Sequence, residues 1–232
     1  MNTHGLFITG TGTDVGKTFA AGFILSLLES LGHRTLYYKP IQCGPAVFDG
    51  RSYPKGDAQF ISEVLGHSAT ANTWNLRNAS SPHLAFAFEE THFSDQPIQD
   101  KLLSSRKNFD FILVEGAGGI RVPINDKVEM TDLARLTSFP ILVVASPGLG
   151  TINHTLLTLE HLSSHRLPIA GFIFCQSTDA APDALAADNA HVIQNRSGIP
   201  FLGTVPFWKG SWSSHQLKQH PLRDYFSRSV RT

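Results

Sequence analysis

The stretch that most restricts what this chain can become is Gly10-Thr11-Gly12-Thr13-Asp14-Val15-Gly16-Lys17-Thr18. It follows the apolar run Leu6–Thr9, which reads as a strand, and it opens Thr18–Leu31, which reads as a helix stopped by Gly32. A glycine-rich turn between a strand and a helix leaves backbone N–H groups free at the helix start, where the helix dipole also favours negative charge. Lys17 can then reach the outer phosphates of a nucleotide, and the Thr18 hydroxyl can ligate Mg2+. A strand–helix turn that binds nothing would not need Lys-Thr behind its last glycine. The spacing is a variant of the common Gly-x4-Gly-Lys-Thr loop: Thr11 takes the place of the first glycine, and Gly10 stands one residue early.

The rest of the chain alternates short apolar runs with helical segments, as a parallel sheet with crossover helices requires. Thr35–Lys39, Phe109–Glu115, Ile141–Ser146, Ile169–Cys175 and Phe201–Val205 read as strands. Asp57–Leu65, a segment after Pro82, Thr131–Thr137, Ile152–His165 and Asp183–Ser197 read as helices, residues 67–82 read as a loop, and the tail after Pro206 shows only weak periodicity. Runs such as Phe-Ile-Leu-Val and Ile-Leu-Val-Val are apolar on both faces, so helices should cover both sides of the sheet. The 232 residues suffice for one α/β domain of three layers, expected to span residues 1–232 on a mostly parallel sheet of the phosphate-loop NTPase kind.

Composition narrows the function. Lys plus Arg and Asp plus Glu number 19 each, so no net charge draws the chain to nucleic acid or an anionic membrane. The eleven His residues are scattered without metal-site spacing, and Cys43 and Cys175 are the only cysteines, which fits a reducing compartment without a disulfide framework. No run approaches the ~18 apolar residues of a membrane span, and residues 1–9 have no charged leader pattern. The expectation is a cytoplasmic protein. Lys39 ends a buried strand, where its charge would stand beside the phosphates, and Asp57 and Glu115 begin or end other elements at the same carboxyl edge.

Six ordered blocks over residues 6–158 resemble the dethiobiotin synthetase family. They are Thr9–Thr18, Tyr38-Lys39-Pro40-Ile41, Gly56-Asp57-Ala58, Ser81-Pro82-His83, Val114–Gly119 followed by Val122-Pro123, and Leu149–Thr158. The resemblance implies an ATP-dependent ligase that closes a cyclic urea on 7,8-diaminononanoate with CO2, through a carbamate and a carbamic-phosphoric anhydride. It assigns Mg2+ to Thr18, Asp57 and Glu115, and catalysis to Lys39, Lys17 and Thr13. ATP would lie on Gly12, Thr13, Asp14, Val15, Gly16, Lys17, Thr18, Glu115, Gly116 and Gly118, with Cys175, Gln176 and Pro206 at the base end. The small-molecule substrate would meet Thr13, Lys39, Cys43, Gly118 and Gly119. Its carboxylate would meet the helix start Gly150, Thr151, Ile152 and Asn153 across the interface of a homodimer.

The chain also departs from the family pattern. Cys175 stands where an Asn reads the base, Cys43 replaces a Ser, and Phe207-Trp208-Lys209-Gly210 does not follow the family. Asn189 occupies the place of a Tyr that some relatives carry. The competing reading is a dimeric partitioning-type ATPase switch. That class carries a Lys five residues before the loop Lys, where this chain has Gly12.

Overall fold

The alternation of Leu6, Phe7 and Ile8 builds the middle of the molecule. In β1 (His4–Gly10), Leu6 and Ile8 point into one apolar core and Phe7 into another, because successive strand side chains face opposite ways. The computed structural model describes residues 4–179 and 184–229. After β1 come α1 (Lys17–Ser30), β2 (Thr35–Cys43), the hairpin β3 (Ala46–Phe48) and β4 (Arg51–Tyr53), α2 (Asp57–Glu63), β5 (Thr70–Leu76), α3 (Pro82–Phe88) and α4 (Gln96–Ser105). The second half contains β6 (Phe111–Gly119), α5 (Met130–Thr137), β7 (Ile141–Ala145), α6 (Thr151–Ser164), β8 (Ile169–Cys175), α7 (Ala184–Ser197), β9 (Phe201–Val205), α8 (Ser214–Gln219) and α9 (Leu222–Ser229).

Seven strands form one parallel sheet in the order β5-β2-β6-β1-β7-β8-β9, with β3 and β4 paired separately as an antiparallel hairpin. One core packs Ala20–Leu28 of α1, Ile61 of α2 and Leu222 and Phe226 of α9 under the sheet. The other packs residues of α3, α4, α5, α6 and α7 on the opposite face. The three layers expected from the doubly apolar strands are therefore present. Because β1 lies between β6 and β7, chain connections diverge on either side of it, and such a switch point opens a crevice at the carboxyl ends of the strands.

The strands Ile169–Cys175 and Phe201–Val205 have the limits read from sequence. Residues 67–82 require a correction: they contain β5, not loop alone. Thr70–Leu76 is half-polar because β5 is an edge strand, paired only with β2 and partly solvated. Strand β6 continues to Gly119, beyond the expected stop at Glu115, because Gly119 is still in register with Gly10. The helix read over Asp183–Ser197 is present from Ala184, and Asp183 lies outside the described residues. The tail forms α8, capped by Ser213 with Gln216, and α9, whose Phe226 ring meets Phe111 at 5.5 Å. Among the described residues no helix is long and apolar enough to cross a membrane.

One ion pair ties the entry of β2 to that of β6. The Arg34 guanidinium donates to both Asp110 oxygens at 3.1 and 2.7 Å, and the Arg34 backbone N–H donates to Oδ2 at 2.9 Å. The side-chain and then the backbone hydrogen bonds hold the Asp110 carboxyl at about 2, below the usual ~3.9. A depressed carboxyl stabilises the fold above its unfolded value and ceases to do so as pH falls through its folded value. Asp110→Asn should therefore unfold at lower urea than wild type at pH 7, and the small gap should close between roughly pH 4 and pH 2. Urea midpoints measured across that range test this.

Candidate functional site

The turn between β1 and α1 depends on two left-handed residues, Asp14 at φ 58° and Gly16 at φ 90°. Glycine is needed at 16 for a second reason. A Cβ there would stand 2.5 Å from the Cys175 Sγ, so the thiol is packed directly beneath the loop. The Lys17 Nζ curls back to donate to the Gly12 carbonyl at 2.9 Å, which anchors the loop. Burial, and next the neighbouring Lys39, push the Lys17 ammonium below its ordinary value, against the pull of Glu115, Asp57 and Asp14. A buried lysine in that position is strongly attracted to any anion that enters.

Beside it lies a cluster of charges at the carboxyl edge of the sheet. Strands β2 and β6 are in register with Tyr38 opposite Val114, which places Lys39 and Glu115 one step further along, side by side. The Lys39 Nζ donates to Glu115 Oε1 at 2.8 Å and to Asp57 Oδ2 at 2.5 Å. The Thr18 hydroxyl donates to the same Glu115 Oε1 at 3.2 Å, and the Tyr37 hydroxyl donates to Oε2 at 2.9 Å. Glu115 is 0% exposed and Lys39 5%. Burial alone would lower the Lys39 pKa, but Asp57 and Glu115 outweigh it and hold the ammonium above its usual value, so Lys39 is charged at neutral pH. Asp57 opens α2, and its backbone N–H donates to Gln42 Oε1 at 3.0 Å, which fixes where the carboxylate begins.

The end of β6 closes over the phosphate loop. Gly119 is in register with Gly10, and a Cβ on Gly118 would come within 3.9 Å of the Thr13 Oγ1. A cavity of about 930 Å3 runs along this edge and brings together Thr13, Asp14, Gly16, Lys17, Thr18, Lys39, Cys43, Asp57, Glu115 and Gly118 of the residues singled out from sequence. Phe19, Phe48 and Phe60 form an aromatic wall on one side of it, and Trp208 packs behind at 5.5 Å from Phe48. The Cys43 thiol borders the cavity, raised to about 11 chiefly by burial, and is neutral there.

Other expected residues lie apart from this cavity. Gly12 and Val15 of the phosphate loop and Gly116 and Gly119 of β6 do not line it. Cys175 is buried, its thiol pushed up to about 12 by desolvation. The Gln176 Oε1 accepts from the Phe207 N–H at 3.2 Å, and the Pro206 carbonyl accepts from the Trp212 Nε1 at 3.3 Å. Gly150, at φ 86°, opens α6 with Thr151, Ile152 and Asn153 in its first turn, beside the 90% exposed Leu149. The buried Asn189 steadies that entrance by donating to the Pro147 carbonyl at 2.9 Å.

Tyr37, Gln42 and Phe48 were not picked out from sequence. Strand alternation alone could have placed Tyr37 on the face of Lys39, two residues away. Nothing in the local sequence marks Gln42 or Phe48. The oxygen donors Thr18, Asp57 and Glu115 suit a hard cation such as Mg2+, which tolerates few protein ligands when phosphates and water complete its shell. Among the described residues no group of three or more His, Cys, Asp or Glu side chains could hold a metal.

Comparison with known proteins adds independent findings. A family model described as an AAA domain matches residues 4–211. An ATP-dependent dethiobiotin synthetase BioD of Bacillus cereus (strain B4264) is 33% identical over 216 residues, 92% of this chain and 87% of that protein. The protein of the same name from Clostridium perfringens is 36% identical over 208 residues, 87% of this chain and 90% of its own length. Among solved structures, the septum site-determining protein MinD of Pyrococcus horikoshii OT3, complexed with Mg-ADP, superposes with a TM-score of 0.56 at 15% identity, covering 99% of this chain and 91% of that one. At that identity the likeness speaks for the fold alone.

The packing under Gly16 predicts the effect of a single methyl. Gly16→Ala adds left-handed strain of about 1–2 kcal/mol, which lowers the melting temperature by roughly 2–8 °C before any clash is counted. Cys175→Ala in the same chain should remove the Sγ contact but neither the 2.7 Å approach to the residue 175 Cβ nor the left-handed strain, so calorimetry should show partial recovery only.

Proposed function

Because this chain belongs to the ATP-dependent dethiobiotin synthetase family, we propose that it makes dethiobiotin for biotin biosynthesis by closing the ureido ring of 7,8-diaminononanoate with CO2 and ATP. The observation that carries this reading is the convergence of Lys17, Lys39, Thr18, Asp57 and Glu115 on one end of one cavity. Phosphoryl transfer requires little covalent help from a protein. It requires positioning and neutralisation of charge, and these side chains supply both.

One substrate amine captures CO2 and loses a proton to become a carbamate. The carbamate oxygen attacks the γ-phosphorus and ADP leaves, giving a carbamic-phosphoric anhydride. The second amine then attacks the carbonyl, phosphate departs, and the five-membered ring closes. Lys17 and the loop N–H groups hold the nucleotide's phosphates, and Lys39 offsets negative charge on the carbamate and the transferred group. Thr18, Asp57 and Glu115 would hold Mg2+, which when bound supplies charge neutralisation on the phosphates. Thr13, facing Gly118, positions the reacting amine. Ring closure is intramolecular and gains from the held geometry. No nucleophilic side chain takes part, in accord with the neutral Cys43 thiol.

The rest of the proposal concerns assembly and the two substrate ends. The chain acts as a cytoplasmic homodimer in which Gly150–Asn153 of one protomer receives the substrate carboxylate held by its partner. Such a role suits a helix start that stands outside the cavity of its own chain. The base end uses Gln176 and Pro206. The partitioning-ATPase reading draws on a likeness of fold, and Gly12 lacks the lysine that class needs.

Phosphate release measured with Mg2+, bicarbonate and the diamine, each omitted in turn, tests the activity. Release should require all three, and release without the diamine would favour the switch. Lys17→Ala and Lys39→Ala should each lower diamine-dependent turnover on the order of 100-fold or more while circular dichroism is unchanged. Asp57→Ala should raise the Mg2+ concentration for half-maximal rate.

A further inference from the structure

Tyr37 is a fully buried side chain whose one polar atom is spent on a fully buried carboxylate. Its hydroxyl donates to Glu115 Oε2 at 2.9 Å, and both residues are 0% exposed. The other oxygen, Oε1, accepts from Lys39 at 2.8 Å and Thr18 at 3.2 Å. The terminal torsion of a glutamate has a broad, roughly two-fold profile, so nothing within Glu115 itself decides which oxygen faces the cavity. From this we infer that Tyr37 is a positioning residue for the reaction: its hydroxyl locks the Glu115 carboxylate so that Oε1 alone is presented to the cavity, beside Thr18 and Lys39.

Two further observations support the assignment. Tyr37 and Lys39 are alternate residues of β2 and face the same side of the sheet, so one strand orients Glu115 through both its oxygens. The Tyr37 ring itself is embedded in the core that also holds α1, with Leu113 opposite it in register, which fixes the hydroxyl without any help from ligand. Burial, aided by the negative charge of Glu115, holds the phenol well above its usual pKa, so it remains a donor. Tyr37 does not itself line the cavity and touches no reacting atom; it acts through Glu115, which does line it.

The inference rests on the proposed ligase reading, and the test keeps the two apart by including a measurement without turnover. Tyr37→Phe retains the ring and removes only the donor. Binding of Mn2+ to the protein with a non-hydrolysable ATP analogue, followed by electron paramagnetic resonance, should weaken on the order of tenfold in Tyr37→Phe. The Mg2+ concentration for half-maximal phosphate release should rise by a similar factor, with kcat at saturating Mg2+ within about twofold of wild type. In a Glu115→Gln background, where the carboxylate that Tyr37 orients is gone, Tyr37→Phe should produce no further weakening of Mn2+. Unchanged Mn2+ affinity in Tyr37→Phe would overturn the proposal. So would an equal additional loss in the Glu115→Gln background, which would mean that Tyr37 acts through packing. If no variant or wild type showed diamine-dependent phosphate release, the ligase reading would fail while the Mn2+ result still judged Tyr37.

Discussion

Two carboxylates held side by side, one fully buried and the other only partly exposed, repel each other, and here one lysine resolves the conflict. Lys39 bridges Asp57 and Glu115 at the carboxyl edge of the sheet, with only 5% of the lysine and none of the glutamate exposed. Removing one member of such a buried cluster leaves an uncompensated charge, generally at a cost of about 3–5 kcal/mol. Further groups help to hold the arrangement: Tyr37 and Thr18 donate to Glu115, and Gln42 holds the backbone from which Asp57 projects. A site constructed this way has its charges in place before any ligand arrives, which is what electrostatic stabilisation of a transferred phosphoryl group requires.

The cluster depends on strand order more than on any local motif. β6 lies between β1 and β2, so Glu115 stands between the phosphate loop and Lys39, within reach of Thr18 on one side and the lysine on the other. Had β2 paired directly with β1, Lys39 would stand against the loop and Glu115 would face elsewhere. The glycines after Glu115 extend the same logic. Without side chains they allow the end of β6 to lie against Gly10 and beneath Thr13, closing the cavity over the loop.

The two cysteines illustrate how burial decides chemistry. Both thiols are raised, Cys43 to about 11 and Cys175 to about 12, so neither is a nucleophile at neutral pH. Cys175 instead fills the space under Gly16, a packing role for which a small, soft side chain is suited. In the segment after β9, Trp208 turns inward onto Phe48 and Phe19, joining the tail to the hairpin β3–β4 and to the start of α1.

How much of this was legible in the sequence differs from element to element. The phosphate loop, its lysine and its threonine were readable because all their chemistry lies within nine consecutive residues between one strand and one helix. The doubly apolar runs of β6 and β7 likewise announced a sheet covered on both faces, since burial on two sides leaves a local compositional trace. Strand β5 left no such trace, because an edge strand is half solvated and its residues look like loop. Asp57, Glu115 and Lys39 could be named as chemistry-bearing residues, but they are 18 to 76 positions apart in pairs that meet only across strands and a helix start. Their bonding, the hydroxyl of Tyr37 on Glu115, and the thiol under Gly16 were decided by the tertiary structure alone, because register and strand order set distances that no local run of residues encodes.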